Sequence, residues 1–311
     1  MARRGRQTLR AMVAATAVMV MVACGSDETP SPPAGSPAAM PASGTGTVEV
    51  GGRRVTVHVP ASYDPGRPAP LVVGLHGYSS DAGELESYLG LTAQSDKRTF
   101  VYAYPDGSAD DRGDQFWNAT DACCAFYGKP DDSRYLSELI ATLRRSYGID
   151  GARVYLIGHS NGGFMAFRMA CDHADQVTAI VSLNGASWND AGRCRPSQPV
   201  SVLAIHSSTD ETVAFGGGDI NGIAYPSAAT TVTQWQGYDQ CAGAGRDAPA
   251  LDLVTDLPGA ETAVRSYTQG CAGGATVEAW TINGGSHVPQ LGPAFTPAVT
   301  DFLLSRTKAA R

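Results

Sequence analysis

The ten residues Val154-Tyr-Leu-Ile-Gly158-His159-Ser160-Asn161-Gly162-Gly163 restrict what this chain can become more than any other stretch. A short apolar run stops at a glycine, a serine stands two residues later, and two more glycines follow. Phe164, Met165, Phe167, Met169 and Ala170 then recur with the spacing of a helix face. The pattern reads as strand, sharp turn, helix, with G-x-S-x-G filling the turn. A nucleophilic serine must be thrust out of the backbone at a strained bend, and that bend crowds its neighbours. Glycines at 158 and 162 remove the Cβ atoms that would collide where helix and strand approach. The first backbone N–H of the new helix, on Asn161, has no acceptor inside the helix and can face an oxyanion. The bland alternative is a glycine-rich connection with an incidental serine. It loses ground because both the strand and the helix are legible.

The flanking sequence extends the same alternation. Thr47–Val50 and Arg53–Val59 alternate apolar and polar residues around Gly51-Gly52, a hairpin signature. Pro70 to Gly77 is a continuous apolar run, as expected of a strand buried on both faces. Asp81 with Glu84 predicts a capped helix running towards Lys97, and Thr99 to Pro105 a second buried strand. A loop over 106–130 holds Trp117 and two adjacent cysteines. Asp132 is the expected cap of a helix carrying Tyr135, Leu136, Leu139, Ile140 and Leu143 on one face. Beyond the serine turn come strands over Val177–Leu183, Pro199–Ile205 and Val277–Ile282. Helices are predicted near Ala228–Tyr238 and, capped by Thr296 with Pro297 first, to Ser305. Strands alternating with helices predict an α/β fold with a mostly parallel central sheet flanked by helices and preceded by a hairpin, in one domain over 47–311.

A turn serine needs a base, and the base needs an orienting carboxylate. In folds of this strand–turn–helix kind the order is serine, acid, histidine. Only His173, His206 and His287 follow Ser160. His173 falls at the end of the serine helix, too far away, and His206 at a strand end suits a core or supporting role. His287, in Asn283-Gly-Gly-Ser-His287-Val-Pro, follows a strand's carboxyl end, where open α/β sheets gather functional side chains. Asp210 stands in the equivalent place after Ile205, and its neighbour Glu211 is expected to point elsewhere. Ser160, Asp210 and His287 are therefore the candidate catalytic residues. A second oxyanion donor should come from the loop after Leu75, with the Tyr78 amide as the first choice and Ser79 as the next. Tyr78 and Trp117 are candidates to wall a substrate cleft.

Composition places this machinery outside the cytoplasm. Arg3, Arg4, Arg6 and Arg10 precede an uncharged apolar run from Ala11 to Val22, a secretory signal over residues 1–23. It ends Met21-Val-Ala-Cys24, which resembles a bacterial lipoprotein cleavage box with Cys24 acylated; ordinary secretion is the other reading. Residues 24–46 are dominated by Pro, Ser, Ala, Gly and Thr and read as a flexible tether. Formal charge is −7, and loss of the signal's four arginines makes it −11. An acidic exported chain without a basic cluster is a poor nucleic-acid binder. Membrane association is expected only through a lipid anchor, and the protein is expected to be a monomer. Of seven cysteines, six remain after Cys24, an even number that points to disulfides rather than a metal site. The favoured pairing joins Cys171 to Cys194 and Cys241 to Cys271, leaving Cys123 and Cys124 as a vicinal bridge. Fifteen connectivities are formally open.

His76-Gly77, Tyr104-Pro-Asp-Gly107, Phe116-Trp-Asn118, Cys123-Cys124, Asp131-Asp132, Gly158 to Met165, Asp210 and the Gly-Ser-His287 loop carry a resemblance over about residues 45–306. They are similar to the polyhydroxybutyrate depolymerase-like serine esterases, relatives of feruloyl and acetyl-xylan esterases. The resemblance implies an exported α/β-hydrolase that cleaves carboxylic esters with Ser160, Asp210 and His287, without metal or cofactor. One departure is Val288-Pro289 after the histidine, where the family more often has Trp-Pro. An acyltransferase using the same three residues is the alternative reading.

Overall fold

The computed structural model describes residues 42–124 and 129–308; the expected signal, Cys24 and most of the tether lie outside them. Strand β1 (Gly44–Val50) starts three residues before the expected boundary at 47 and pairs with β2 (Arg53–Val59). The Gly51-Gly52 turn between them takes φ of 57° and 75°, backbone that glycine adopts without a Cβ clash. Strand β3 (Ala69–Leu75) is buried along its whole length.

The single helix expected from Asp81 to Lys97 is two, α1 (Ala82–Leu89) and α2 (Leu91–Arg98). Asp81 caps the first as expected, accepting from the Glu84 amide at 2.8 Å. Gly90 breaks the run at φ 62°, and Glu86 bends back to accept the Leu91 and Thr92 amides at 3.2 and 3.0 Å. A carboxylate taking two orphan N–H groups replaces a turn of helix. Strand β4 (Val101–Pro105) follows, and the expected loop contains a small hairpin, β5 (Ser108–Ala109) and β6 (Gln115–Phe116). Asp131, not Asp132, caps α3 (Asp132–Ser146). Asp132 is instead buried, accepting from Arg53, Ser108 and the Asn118 amide.

Strand β7 (Ile149–His159) leads into α4 (Asn161–Asp172), then β8 (Ala179–Leu183) and β9 (Ser201–Ser207). A hairpin, β10 (Gly218–Ile220) and β11 (Ile223–Tyr225), precedes α5 (Ala228–Tyr238). Strands β12 (Arg246–Leu251), β13 (Thr262–Tyr267) and β14 (Val277–Ile282) and helix α6 (Phe295–Leu304) complete the chain. The last helix begins at Phe295, ahead of the expected Thr296 cap. The Thr296 hydroxyl donates to Leu89 O and is not available for capping, while Pro297 still lies in the first turn.

The main sheet runs β1-β2-β4-β3-β7-β8-β9-β14-β13-β12. The six strands from β4 to β14 are parallel, with antiparallel pairs at both edges. One face packs on α3, α4 and α5 through residues such as Leu139, Phe167 and Trp235; the other packs on α1, α2 and α6 through Leu85, Leu91 and Phe295. Covering both faces explains why the parallel strands read as unbroken apolar runs. Sequence order runs one way from β3 to β4 and the other way from β3 to β7. Loops leaving this switch point diverge and open a crevice at the strands' carboxyl ends. No helix among the described residues is long and apolar enough to cross a membrane.

The three expected disulfides are present: Cys171–Cys194, Cys241–Cys271 and Cys123–Cys124. The first two span 23 and 30 residues, loops whose closure restricts the unfolded chain by about 3 kcal/mol each. Thorough reduction should therefore lower the melting temperature by ten degrees or more, on the order of two such losses in a chain of this size. Calorimetry with and without a strong reductant checks it, and an unchanged transition would contradict it.

Asp239, which caps the end of α5, is fully buried. Its Oδ1 accepts the Val200 amide at 3.0 Å, while Oδ2 meets no partner among the described residues. Burial pushes its pKa up from the ordinary 3.8 to about 7, against the opposing pulls of that amide and of Lys308. The native state thus keeps a proton that the unfolded chain releases, so stability falls as pH rises from about 4 to 7. Asp239→Asn should melt at the same temperature as the parent at pH 4 and several degrees higher at pH 8. Parallel melting curves at both pH values decide it.

Candidate active site

The turn at Ser160 is built from the absence of side chains. A Cβ on Gly158 would lie 2.1 Å from Gly162 O, one on Gly162 2.0 Å from Leu75 O, and one on Gly163 2.6 Å from Ser182 Oγ. Ser160 sits there at φ 55° and ψ −120°, sparsely populated backbone for a non-glycine residue. The crowding around it holds the strain, and its hydroxyl projects above the sheet.

Two other loops meet it. His287 Nε2 lies 2.8 Å from Ser160 Oγ, and His287 Nδ1 lies 2.9 and 2.8 Å from the two carboxylate oxygens of Asp210. Three residues far apart in sequence form one unbroken line. Asp210 hangs from the end of β9, and its Oδ1 also accepts the Thr212 and Val213 amides at 2.8 Å each. Burial alone would raise its carboxyl, but the His287 ring and these amides hold it below the ordinary carboxylate value. It is a fixed negative charge. His206, buried and kept neutral by desolvation, donates to Val213 O at 2.7 Å and lies 3.7 Å from Asp210 Oδ2. It supports the acid's loop, as its place at a strand end suggested. His173 ends α4 and bonds Ser133, away from the line.

Beside Ser160 the loop after β3 passes close: a Cβ on Gly77 would stand 3.5 Å from Ser160 Cβ. The Ser79 amide is committed to Gln115 O at 2.9 Å, which removes the second choice for an oxyanion donor. Buried His76 ties this loop down, donating through Nδ1 to Gly77 O at 2.7 Å and accepting the Gly107 amide on Nε2 at 2.9 Å. An imidazole that accepts on one nitrogen must be neutral, and desolvation lowers its pKa accordingly. Tyr78 bonds through its hydroxyl to Asp110, Asp114 and Arg112.

A cleft of about 330 Å³ opens over the serine, lined by Tyr78, Leu85, Tyr88, His159 and Val288 as well as Ser160 and His287. Trp117 is not among its walls. The ring is wholly buried, its Nε1 donating to His76 O at 3.1 Å. The Asn161 carboxamide clasps the Trp117 backbone on both sides, at 2.7 Å to N and 2.9 Å to O, and reaches Cys123 Sγ at 3.3 Å. An indole with its N–H satisfied beneath the turn packs as core. Tyr88 takes the aromatic place in the cleft, and its hydroxyl donates to Pro289 O at 2.9 Å. Glu211 does not point away either: its Oε2 accepts the His287 amide at 3.2 Å. Asn184 was without a sequence signal beyond its place after β8, and it takes φ 54°, which asparagine tolerates best among non-glycine residues. Among the described residues no cluster of His, Cys, Asp and Glu could hold a metal ion.

Comparison with known proteins gives the family and the fold. The Esterase family model matches residues 51–262. The NocK protein of Nocardia uniformis subsp. tsuyamanensis is 29% identical over 281 residues, covering 85% of this chain and 80% of that protein. Feruloyl esterase B of Piromyces equi is 26% identical over 243 residues, 76% of this chain but 42% of that longer protein. Among solved structures, the acetyl xylan esterase from Aspergillus awamori superposes with a TM-score of 0.57 at 14% identity, covering 80% of this chain and 93% of that one, a likeness of fold. With an α/β-hydrolase sheet, a serine turn and a family match over most of its length, the chain belongs to the Esterase family and is an esterase.

Proposed function

We propose that the protein hydrolyses carboxylic esters through a covalent acyl-enzyme on Ser160. The observation that carries this reading is the continuous line from Ser160 Oγ through His287 to Asp210, with every link at 2.8–2.9 Å. His287 Nε2 takes the hydroxyl proton as Oγ adds to the ester carbonyl. Asp210 holds the Nδ1–H tautomer and balances the imidazolium that forms. The amides of Asn161 and Tyr78 receive the oxyanion; the first belongs to a helix N-terminus, which favours developing negative charge. Collapse expels the alcohol with the proton from Nε2. Water then attacks the acyl carbonyl, giving its proton to the same nitrogen, and Ser160 leaves with it.

The cleft is largely apolar, with Glu84 as the one carboxylate among its lining residues, which suits uncharged acyl groups. Feruloyl, acetyl and hydroxyalkanoate esters are the candidate class, consistent with relatives named as feruloyl esterase, acetylxylan esterase and poly(3-hydroxyalkanoate) depolymerase. Three disulfides favour an oxidising compartment, in keeping with the apolar segment at residues 11–22 and export. Lipidation of Cys24 rests on the sequence around it.

The test uses protein lacking residues 1–23 and a panel of p-nitrophenyl acetate and butyrate, methyl ferulate, acetylated xylan and a short-chain polyhydroxyalkanoate film. Hydrolysis with an initial burst, and acyl mass trapped on the Ser160 peptide, is the expected result. Turnover without any serine-bound acyl group would overturn the covalent route. Acyl transfer to an added sugar or lipid without release to water would favour the acyltransferase.

A further inference from the structure

His287 stands in backbone with little reason of its own to hold still. It lies between β14 and α6, with Gly284 at φ 83° and Gly285 just before it. Three side chains grip its peptide. His159 Nε2 donates to His287 O at 2.9 Å, Asn184 Nδ2 donates to the same oxygen at 2.7 Å, and Glu211 accepts the amide. A carbonyl has two lone pairs, and both are engaged here by side chains.

The two donors sit at the carboxyl ends of neighbouring central strands. His159 is the last residue of β7, next to the nucleophile, and its ring packs edge-on against Tyr88 at 5.4 Å and beside the His287 ring at 5.1 Å. Burial lowers its pKa to about 4, so it remains a neutral ring donating through one nitrogen. Asn184 directly follows β8. Its Oδ1 accepts the Ser207 amide at 2.8 Å at the end of β9, and the Asp210 amide reaches Ser207 O at 3.3 Å. One carboxamide thus refers the base's peptide and the acid's loop to the same strand end.

We propose that His159 and Asn184 are positioning residues, whose two N–H groups converge on the His287 carbonyl and hold its imidazole in register between Ser160 and Asp210. The proposal rests on the triad reading above. Without the grip, the imidazole follows its glycine-led loop, and a misplacement of about 1 Å is enough to cost ~100-fold in rate.

The experiment compares His159→Phe, which keeps an aromatic ring and removes the donor, with His159→Gln, whose amide reaches the place of Nε2. Steady-state constants on p-nitrophenyl butyrate, melting temperature and the downfield proton resonance of the His287–Asp210 hydrogen bond are read for both. His159→Phe should lose about 10–100-fold in kcat, with a smaller change in KM because the ring that lines the cleft is kept, and should broaden that resonance. His159→Gln should recover most of both. If the phenyl ring does not fit, His159→Leu serves as the donor-free variant. Parental kcat in the donor-free variant would overturn the proposal, as would equal impairment of His159→Gln, which would mean that ring packing alone matters. Ser160→Ala in the same series separates the two levels. If that variant keeps turnover, the triad reading falls; if it loses turnover while the donor-free variant does not, only the positioning role falls.

Discussion

Replacing Ser160 with alanine should reduce kcat by about 10⁶, the loss found when a triad of this type is deprived of its nucleophile. The residue supplies the oxygen that His287 Nε2 contacts at 2.8 Å, and among the described residues no other hydroxyl bonds that nitrogen. What remains should be a rate some 10³–10⁴ above water, from oxyanion donors and substrate binding. The fold should survive, because the turn is held by contacts of Gly158, Gly162 and Gly163 rather than by the serine hydroxyl. Melting temperature and burst amplitude are measured together. A well-folded variant with turnover within tenfold of the parent would refute the mechanism.

Asp210→Asn should cost about 10⁴ in kcat while leaving the site's shape intact, as the loss of the orienting carboxylate does in such triads. The local hydrogen bonds say why. Oδ1 already accepts the Thr212 and Val213 amides, so an asparagine must place its carbonyl oxygen there. Its NH₂ then occupies the Oδ2 position, 2.8 Å from His287 Nδ1, and presents a donor where the parent presents an acceptor. The imidazole answers by taking the other tautomer, with its proton on Nε2, and can no longer accept from Ser160. Kinetics at neutral pH with KM and melting temperature recorded alongside provide the check. An effect of tenfold or less would mean that Asp210 does not set the tautomer, and that Glu211 or His206 compensates.

Much of this was readable from the chain because it depends on short-range geometry. Gly158, Gly162 and the helix beginning at Asn161 announce a crowded turn, and a crowded turn exposes its central residue whatever surrounds it. Asp210 and His287 could be picked out because each follows a buried strand, and the parallel order places those strand ends on one edge. The three cysteine pairs were found in the expected pairing.

Other assignments failed where a residue's role depends on what a distant segment places opposite it. Trp117 has the composition of a cleft wall, yet Asn161 and His76, 44 and 41 residues away, draw it under the turn. Glu86 turns a continuous helical pattern into two helices by capping the second itself. Asp132 has the spacing of a cap, but Arg53, 79 residues earlier, pairs with it in the interior. His159 and Asn184 carry no local signal for gripping His287, which lies 128 and 103 residues further on. Local steric demands and hydrophobic periodicity are properties of consecutive residues, so the sequence alone determined the N-terminal hairpin, the buried parallel strands and the serine turn, while the edge strands β12 and β13 went unread. Side-chain hydrogen bonds between separate loops depend on ångström-scale approach, so only the tertiary structure decided the cleft walls and the groups that hold His287.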